Sequence, residues 1–287
     1  MSNSENKTGT TSPTIGVFDS GFGGLTVLRA LMAQMPSARY AFIGDTARLP
    51  YGSKSRRTIA RYAAQCAQFL VNQQGAEFLV IACNTASALA LDAIQDAVQV
   101  PVLGVIEPGA EAARAASRTG DVLVIATDAT VQSHAYAAAC RARGLRALEK
   151  ACPLLVPLVE EGWTEHQVTA EVIRIYLAEL TAEAAAQGMN PDVLLLGCTH
   201  YPLLRPLLER AVPAGMKVID SADATAEAAV RLFGLKKAEE RSPSAQDPSA
   251  QNQVRCFATD SVEKFERLGS RFLRRPTGKV ELVDLGG

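Results

Sequence analysis

Short, almost continuously apolar runs recur along this chain and alternate with segments of helical periodicity. The runs include "TIGVF", "EFLVIA", "DVLVIAT" and "DVLLLG". Strands that are apolar throughout are typical of parallel sheets, because helices cover both faces of such a sheet. Segments such as "RTIARYAAQCAQFLVNQQG" carry apolar residues at helical spacing and predict those helices. The alternation therefore predicts an α/β fold with mostly parallel sheets flanked by helices.

Length and composition indicate two globular domains. The chain has 287 residues, which exceeds the usual size of one domain. Hydrophobic residues make up 48% and charged residues 21%, so two apolar cores are feasible. The formal net charge of −1 makes nucleic acid a poor partner.

The strand–helix rhythm restarts after "EPGAEAARAASRTG", and this restart sets the expected domain boundaries. We expect a first α/β domain from residues 14–108 plus 222–287, and a second α/β domain from residues 109–221. The first domain includes a C-terminal strand and helix that return to it. Residues 1–13 are polar and predict a flexible arm, and a polar loop is expected at about 236–253.

The chain carries no sign of export or membrane insertion. Its polar N-terminus lacks the basic and apolar regions of a signal peptide, and its apolar runs are shorter than a bilayer span. We therefore expect a cytoplasmic protein whose six cysteines are reduced. No Cys/His cluster has zinc spacing, so no metal is expected.

One strand–turn–helix unit occurs twice. "EFLVIACNTASALALDAI" and "DVLLLGCTHYPLLRPLLERAV" each place a cysteine after an apolar strand, at Cys83 and Cys198. In α/β sheets, ligands bind beyond the carboxyl ends of strands. Both thiols are expected there, before helix N-termini that lower a thiol pKa from its reference of about 8.5. The two halves could thus place one thiol on each side of a ligand.

The other cysteines are interpreted as small core residues, since free cysteine is among the most buried residue types. They are Cys66, Cys140, Cys152 and Cys256. His134 and His166 are expected on helices at the surface. His200, two residues after Cys198, is the candidate for proton transfer.

The glycine-rich segment "GVFDSGFGGLTV" does not fit a nucleotide-binding loop. Thr26 stands where the dinucleotide fingerprint requires its third glycine. The glycines instead predict close approach of the backbone to a ligand. Asp19 and Ser20 follow the first strand, and Asp19 is a candidate base toward a thiol or counter-charge to an amine.

Four motifs together resemble the glutamate racemase family, which is cofactor-independent. They are "FDSGFGGLTV", "LPYGSKS", "ACNTASA" and "GCTHYPLL", and the resemblance runs from about residue 14 to past residue 225. The related aspartate and hydantoin racemases share the two cysteines, but "DSGFGG" with "PYG" favours the glutamate branch. The resemblance implies two pseudo-symmetric α/β domains with the active site between them. It also implies interconversion of L- and D-glutamate, which supplies D-glutamate for peptidoglycan.

The resemblance assigns roles to the catalytic candidates. Cys83 would take the proton from D-glutamate with help from Asp19, and Cys198 would take it from L-glutamate with help from His200. A carboxylate is expected within "LLVPLVEEGW".

For that carboxylate, Glu160 is preferred over Glu161. Substrate contacts are expected from Asp19, Ser20, Pro50, Tyr51, Gly52, Asn84, Thr85, Thr130, Thr199 and His200. Ala129 stands where the family often has glycine, which weakens the inference at Thr130.

The chemistry of racemisation agrees with a duplicated thiol. One base on each face of the α-carbon removes and returns a proton without a cofactor. Two alternatives stay open: a racemase of aspartate or a related amino acid, and a non-catalytic amino-acid-binding or regulatory protein. Binding alone needs no pair of thiols, which argues against the second.

We expect a homodimer, the commonest oligomer, with a small-molecule substrate.

Overall fold

The computed structural model describes residues 12–234 and 254–286 and contains two β-sheets. The strands are β1 (Thr14–Asp19), β2 (Arg39–Gly44), β3 (Phe78–Ile81), β4 (Val102–Gly104), β5 (Asp121–Ala126), β6 (Arg146–Ala151), β7 (Val193–Gly197), β8 (Lys217–Asp220), β9 (Val254–Ala258) and β10 (Val280–Leu282). The first sheet has the order β10-β9-β2-β1-β3-β4, and the second has the order β6-β5-β7-β8. Neighbouring strands in both sheets pair in parallel. The predicted fold class is confirmed.

Helices flank both sheets. They are α1 (Leu25–Gln34), α2 (Arg56–Asn72), α3 (Asn84–Leu89), α4 (Leu91–Ala97), α5 (Ile106–Ala116), α6 (Asp128–Ser133), α7 (Ala135–Arg141), α8 (Leu155–Glu160), α9 (Gln167–Ala186), α10 (Arg205–Ala211), α11 (Ala222–Phe233) and α12 (Val262–Leu273). The Ser55 side chain caps α2, and Gly75, with a φ of 66°, follows its end. The single helix expected after Cys83 is instead two short helices that meet at Ala90.

Two strands were missed by the sequence analysis, and both lie at sheet edges. β6 has the sequence "RALEKA", is only partly buried, and forms one edge of the second sheet. β10 is three residues long and forms one edge of the first sheet. An edge strand with one solvated side carries no continuous apolar run, which is the signal the prediction used.

The C-terminal segment returns to the first sheet as expected. β9 pairs with β2, and α12 packs against α1. One hydrophobic cluster includes buried residues from both sheets, such as Phe42 and Leu196. The domain boundaries at residues 109 and 222 stay a prediction. Most of the expected N-terminal arm and the polar loop at about 236–253 lie outside the described residues.

Candidate active site

A cavity of about 540 Å³ lies where strands of both sheets end. Its walls come from segments that follow β1, β2 and β3 of the first sheet and β5, β6 and β7 of the second. Of the candidates from the sequence, the lining includes Ser20, Pro50, Tyr51, Gly52, Cys83, Asn84, Thr85, Glu160, Cys198, Thr199 and His200. Asp19 and Thr130 are fully buried behind this wall. Because each sheet contributes a cysteine, a ligand in the cavity lies within reach of both thiols.

Cys83 is the N-cap of α3 and is 5% exposed. Its thiol donates a hydrogen bond to Ser20 Oγ at 3.4 Å, and its sulfur accepts one from the Ala86 N–H at 3.4 Å. Burial and the nearby Asp19 charge nevertheless raise the pKa of Cys83 to about 12. The expectation of a net lowered pKa is wrong here: the Ala86 N–H at the start of α3 and the hydrogen bonds to Ser20 do lower the pKa, but desolvation of the thiolate outweighs them.

Asp19 joins the two halves of the site from behind the cavity wall. Its Oδ2 accepts a hydrogen bond from the Gly21 N–H at 3.0 Å, and its Oδ1 accepts one from Thr199 Oγ1 at 3.4 Å. Burial raises the pKa of Asp19, although the charge of His200 opposes the change. A carboxyl group with a raised pKa can hold or release a proton beside Cys83.

Cys198 does not directly precede an α-helix as expected, because the 3₁₀ helix Tyr201–Leu204 comes first and α10 begins only at Arg205. Cys198 instead begins a chain of polar contacts. Its Sγ lies 3.9 Å from His200 Nδ1, and His200 Nε2 lies 3.3 Å from Glu160 Oε1. Glu160 Oε2 accepts a hydrogen bond from Lys264 Nζ at 3.0 Å. The sequence preference for Glu160 over Glu161 thus agrees with the contact to His200.

The charges along this chain of contacts change two pKa values. Burial alone would lower the pKa of His200, but the hydrogen bonds and charges of Cys198 and Glu160 raise it to about 10. Burial alone would raise the pKa of Glu160, but His200 and Lys264 hold it below its usual value. His200 is therefore an imidazolium at neutral pH, and its positive charge lies beside the Cys198 sulfur.

The glycine-rich loop packs against the segment that carries the second thiol. A Cβ at Gly23 would lie 2.3 Å from Thr199 Oγ1 and 2.9 Å from His200 Nδ1. A Cβ at Gly24 would lie 2.6 Å from Asp19 Cβ. The sequence predicted close approach to a ligand, whereas these two glycines allow close approach between protein segments.

Asn84 follows Cys83, and its side chain is oriented by the opposite half of the molecule. The buried Tyr136 on α7 donates a hydrogen bond to Asn84 Oδ1 at 2.5 Å. This contact occupies the carbonyl oxygen and leaves the amide nitrogen to donate into the cavity. Tyr136 was missed by the sequence analysis, since a tyrosine within an alanine-rich helix gives no local signal of a site.

Three threonine hydroxyls form one cluster at the cavity wall. Thr85 Oγ1 lies 2.9 Å from Thr127 Oγ1 and 3.2 Å from Thr130 Oγ1. Thr127 lines the cavity, although the sequence analysis chose Thr130 from the same segment. Thr130 supports the other two hydroxyls from behind. Thr127 follows β5, so its position after a strand was the available signal.

The segment after β2 closes the cavity on one side. Tyr51 is buried, and its hydroxyl donates a hydrogen bond to Asp45 Oδ2. A Cβ at Gly52 would lie 2.8 Å from Thr127 Cβ, so the backbone of this segment packs closely against the segment that follows β5 of the second sheet. Pro50 lines the cavity beside them.

The remaining cysteines and histidines lie as predicted. The four other cysteines are buried in the hydrophobic cores, and none of the six, all within the described residues, forms a disulfide. His134 and His166 are exposed and cap helices. Among residues 12–234 and 254–286, no group of three or more His, Cys, Asp or Glu side chains is placed to hold a metal ion. Across the same ranges, no helix is long and apolar enough to cross a membrane.

The fold and the site define a class: a two-sheet parallel α/β protein with one thiol from each sheet at a shared cavity. The family model described as Asp/Glu/hydantoin racemase matches residues 25–229. The chain belongs to that family.

Individual relatives agree over almost the whole chain. A glutamate racemase from Koribacter versatilis is 53% identical over 290 residues, which cover 96% of this chain and 98% of that protein. The structure of glutamate racemase isoform RacE1 from Bacillus anthracis is 34% identical, with a TM-score of 0.83 and coverage of 96% and 98%. Glutamate racemase from Francisella tularensis in complex with D-glutamate is 34% identical, with a TM-score of 0.81 and the same coverage.

Proposed function

We propose that this protein is an isomerase that interconverts L-glutamate and D-glutamate without a cofactor. The observation that carries the proposal is the pair of thiols, Cys83 and Cys198, that line one cavity from opposite sheets. Racemisation removes the α-proton on one face and returns a proton on the other, which needs one acid–base group on each face. The similarity to glutamate racemases, one of them bound to D-glutamate, supports glutamate as the substrate.

In this proposal, Cys83 takes the α-proton of D-glutamate and Cys198 takes that of L-glutamate. The electron pair of the C–H bond stays on the α-carbon, and the opposite thiol then gives its proton to that carbon. Asp19 accepts and returns the proton of Cys83, and His200 with Glu160 serves Cys198. Each turnover leaves the thiols with exchanged protonation states, which solvent restores.

The carbanion needs stabilisation because an amino-acid α-proton is very weakly acidic. Preorganised donors in a dry site provide it without reorganising when the charge develops. The polar groups that we assign to the substrate are Ser20, Asn84, Thr85 and Thr199, with Thr127 beside them. Asp19, Pro50, Tyr51, Gly52 and Thr130 shape or support this set.

We further propose that the protein is a cytoplasmic homodimer that supplies D-glutamate for peptidoglycan. Two catalytic thiols must stay reduced, which suits the cytoplasm. Twofold dimers are the commonest soluble oligomers. Sedimentation of the purified protein tests the oligomeric state.

The test of the proposed function is α-proton exchange and racemisation in deuterated buffer. Cys83→Ser and Cys198→Ser should each lose racemisation by about a thousandfold. Cys83→Ser should still label L-glutamate through Cys198, and Cys198→Ser should still label D-glutamate through Cys83. Cys140→Ser, in a core away from the cavity, is the matched control.

Wild-type racemisation by Cys83→Ser would contradict the two-thiol mechanism. L- and D-aspartate are assayed in parallel. If aspartate is racemised faster than glutamate, aspartate is the substrate.

A further inference from the structure

Lys264 lies at the outer end of the contact chain that starts at Cys198. It belongs to α12, which lies between β9 and β10 of the first sheet. Cys198 and His200 follow β7 of the second sheet, and Glu160 ends α8. The contact of 3.0 Å between Lys264 Nζ and Glu160 Oε2 therefore joins a residue of the first sheet's C-terminal segment to the contact chain of the second sheet's thiol.

Glu160 has a different partner on each carboxylate oxygen. Oε1 faces His200 Nε2 and Oε2 faces Lys264 Nζ. The exposed fraction of the side chains rises outward, from 5% at His200 through 16% at Glu160 to 37% at Lys264. A mostly buried carboxylate with two cationic partners is held in one orientation, and loss of one partner leaves a desolvated oxygen unsatisfied.

Aromatic side chains hold the same groups in place. Lys264 Nζ lies 5.6 Å from the centroid of the Phe22 ring, and that ring meets His200 at 6.4 Å between centroids. Phe272, also on α12, packs edge-on against His200 at 5.4 Å. α12 thus restrains His200 by direct packing and, through Glu160, by charge.

We propose that Lys264 is a positioning residue for proton transfer at Cys198, because its ammonium holds the Glu160 carboxylate against His200 Nε2 and so keeps His200 Nδ1 directed at the thiol. The proposal rests on the proposed racemase function. Lys264 acts through Glu160 and touches neither the thiol nor the cavity. The Cys83 side should be unaffected by its loss.

Isotope effects distinguish the two thiols where rates do not. The equilibrium constant between enantiomers is one, so kcat/KM must fall equally in both directions for any variant. Deuterium at the α-carbon of L-glutamate reports C–H cleavage at Cys198, and deuterium on D-glutamate reports cleavage at Cys83. A slower step at Cys198 raises the isotope effect on kcat/KM for L-glutamate and lowers it for D-glutamate.

The experiment compares Lys264→Met, Lys264→Gln and Lys264→Arg with wild type. The first two should lower kcat/KM by up to about a hundredfold, as expected for a displaced catalytic group. Their isotope effects should rise for L-glutamate and fall for D-glutamate, while Lys264→Arg restores wild-type behaviour. Arg267→Met changes an exposed cation on the same helix and should match wild type. Thermal unfolding confirms that each variant is folded.

Wild-type rates in folded Lys264→Met and Lys264→Gln would overturn the proposal. A loss of rate with unchanged isotope effects would also overturn it, since a purely structural role affects both faces alike. Failure of the proposed function is recognised separately, because the wild-type protein would then not racemise glutamate at all.

Discussion

The two thiols occupy equivalent places in the fold and opposite electrostatic surroundings. Both follow a central strand, and they are 5% and 6% exposed. Cys83 faces a hydroxyl and lies near the Asp19 carboxyl group, whereas Cys198 faces an imidazolium. The position after a parallel strand therefore fixes where each thiol lies. The surroundings differ because Asp19 and Ser20 reach Cys83 from the loop after β1, whereas His200 comes from the same segment as Cys198. We expect the free protein to hold Cys83 as a thiol.

Alkylation of the free protein should show that the surroundings of Cys83 keep it protonated. Only the thiolate reacts, and a pKa of about 12 leaves roughly 10⁻⁵ of Cys83 ionised at about pH 7. A free thiol with the reference pKa of about 8.5 is a few per cent ionised at the same pH, so iodoacetamide should modify Cys83 at least about a hundredfold more slowly than it modifies free glutathione. Peptide mass spectrometry measures both rates, with the fully buried Cys140 as an internal reference. Equal rates, or faster reaction at Cys83, would contradict the comparison.

Removing the imidazole should remove the polar partner of the Cys198 sulfur and slow the reaction. His200→Asn should slow racemisation by about 10²- to 10⁴-fold, because a general acid–base group is lost. His134→Asn is the matched control, since His134 is exposed and has a φ of 54° that asparagine tolerates. Racemisation by His200→Asn at the wild-type rate would show that the imidazole takes no part in proton transfer.

The free energy of unfolding should depend on pH because His200 loses its charge at high pH. A folded-state pKa raised from 6.5 to about 10 stabilises the fold fully below about pH 6.5, and this contribution is lost as the pH rises through 10. A difference of one between the folded-state and unfolded-state pKa corresponds to about 1.4 kcal/mol of stability. Denaturant unfolding should show wild type exceeding His200→Asn by a few kcal/mol at about pH 6, with a smaller difference at about pH 10. A difference in stability that is constant with pH would contradict an imidazolium at this position.

The sequence predicted most of the fold because the central strands are apolar throughout and the helices are amphipathic. It also predicted the positions of Cys83 and Cys198, since a residue that follows a parallel strand lies at the ligand-binding edge. It could not predict Lys264 or Tyr136, which reach the site from α12 and α7 through contacts across 104 and 52 residues of chain. Nor could local pattern predict the pKa of Cys83, which depends on burial in three dimensions.

Those two missed residues reveal a reciprocal arrangement. Lys264, in the segment that returns to the first sheet, donates a hydrogen bond to Glu160 on the Cys198 side. Tyr136, from α7 of the second half, donates a hydrogen bond to Asn84 on the Cys83 side. Each thiol thus has a neighbour held by the opposite half of the molecule. The geometry of the site therefore depends on how the two sheets are placed relative to each other. Loss of the Lys264 contact should affect the groups around Cys198, and loss of the Tyr136 contact should affect Asn84.

The smallest effect is expected from Tyr136→Phe, which removes the hydrogen bond to Asn84 Oδ1. Its Oδ1 then lacks the phenol donor, and the amide can turn its nitrogen away from the substrate. A neutral hydrogen bond is worth about 1 kcal/mol, so KM should rise about fivefold while kcat changes little. Tyr40→Phe is the matched control, because the buried Tyr40 hydroxyl bonds the carbonyl oxygens of Leu31 and Met35 in the core. It should lower stability by about 1 kcal/mol and leave KM unchanged. An equal rise of KM in both variants would mean that general loosening, rather than orientation of Asn84, weakens substrate binding.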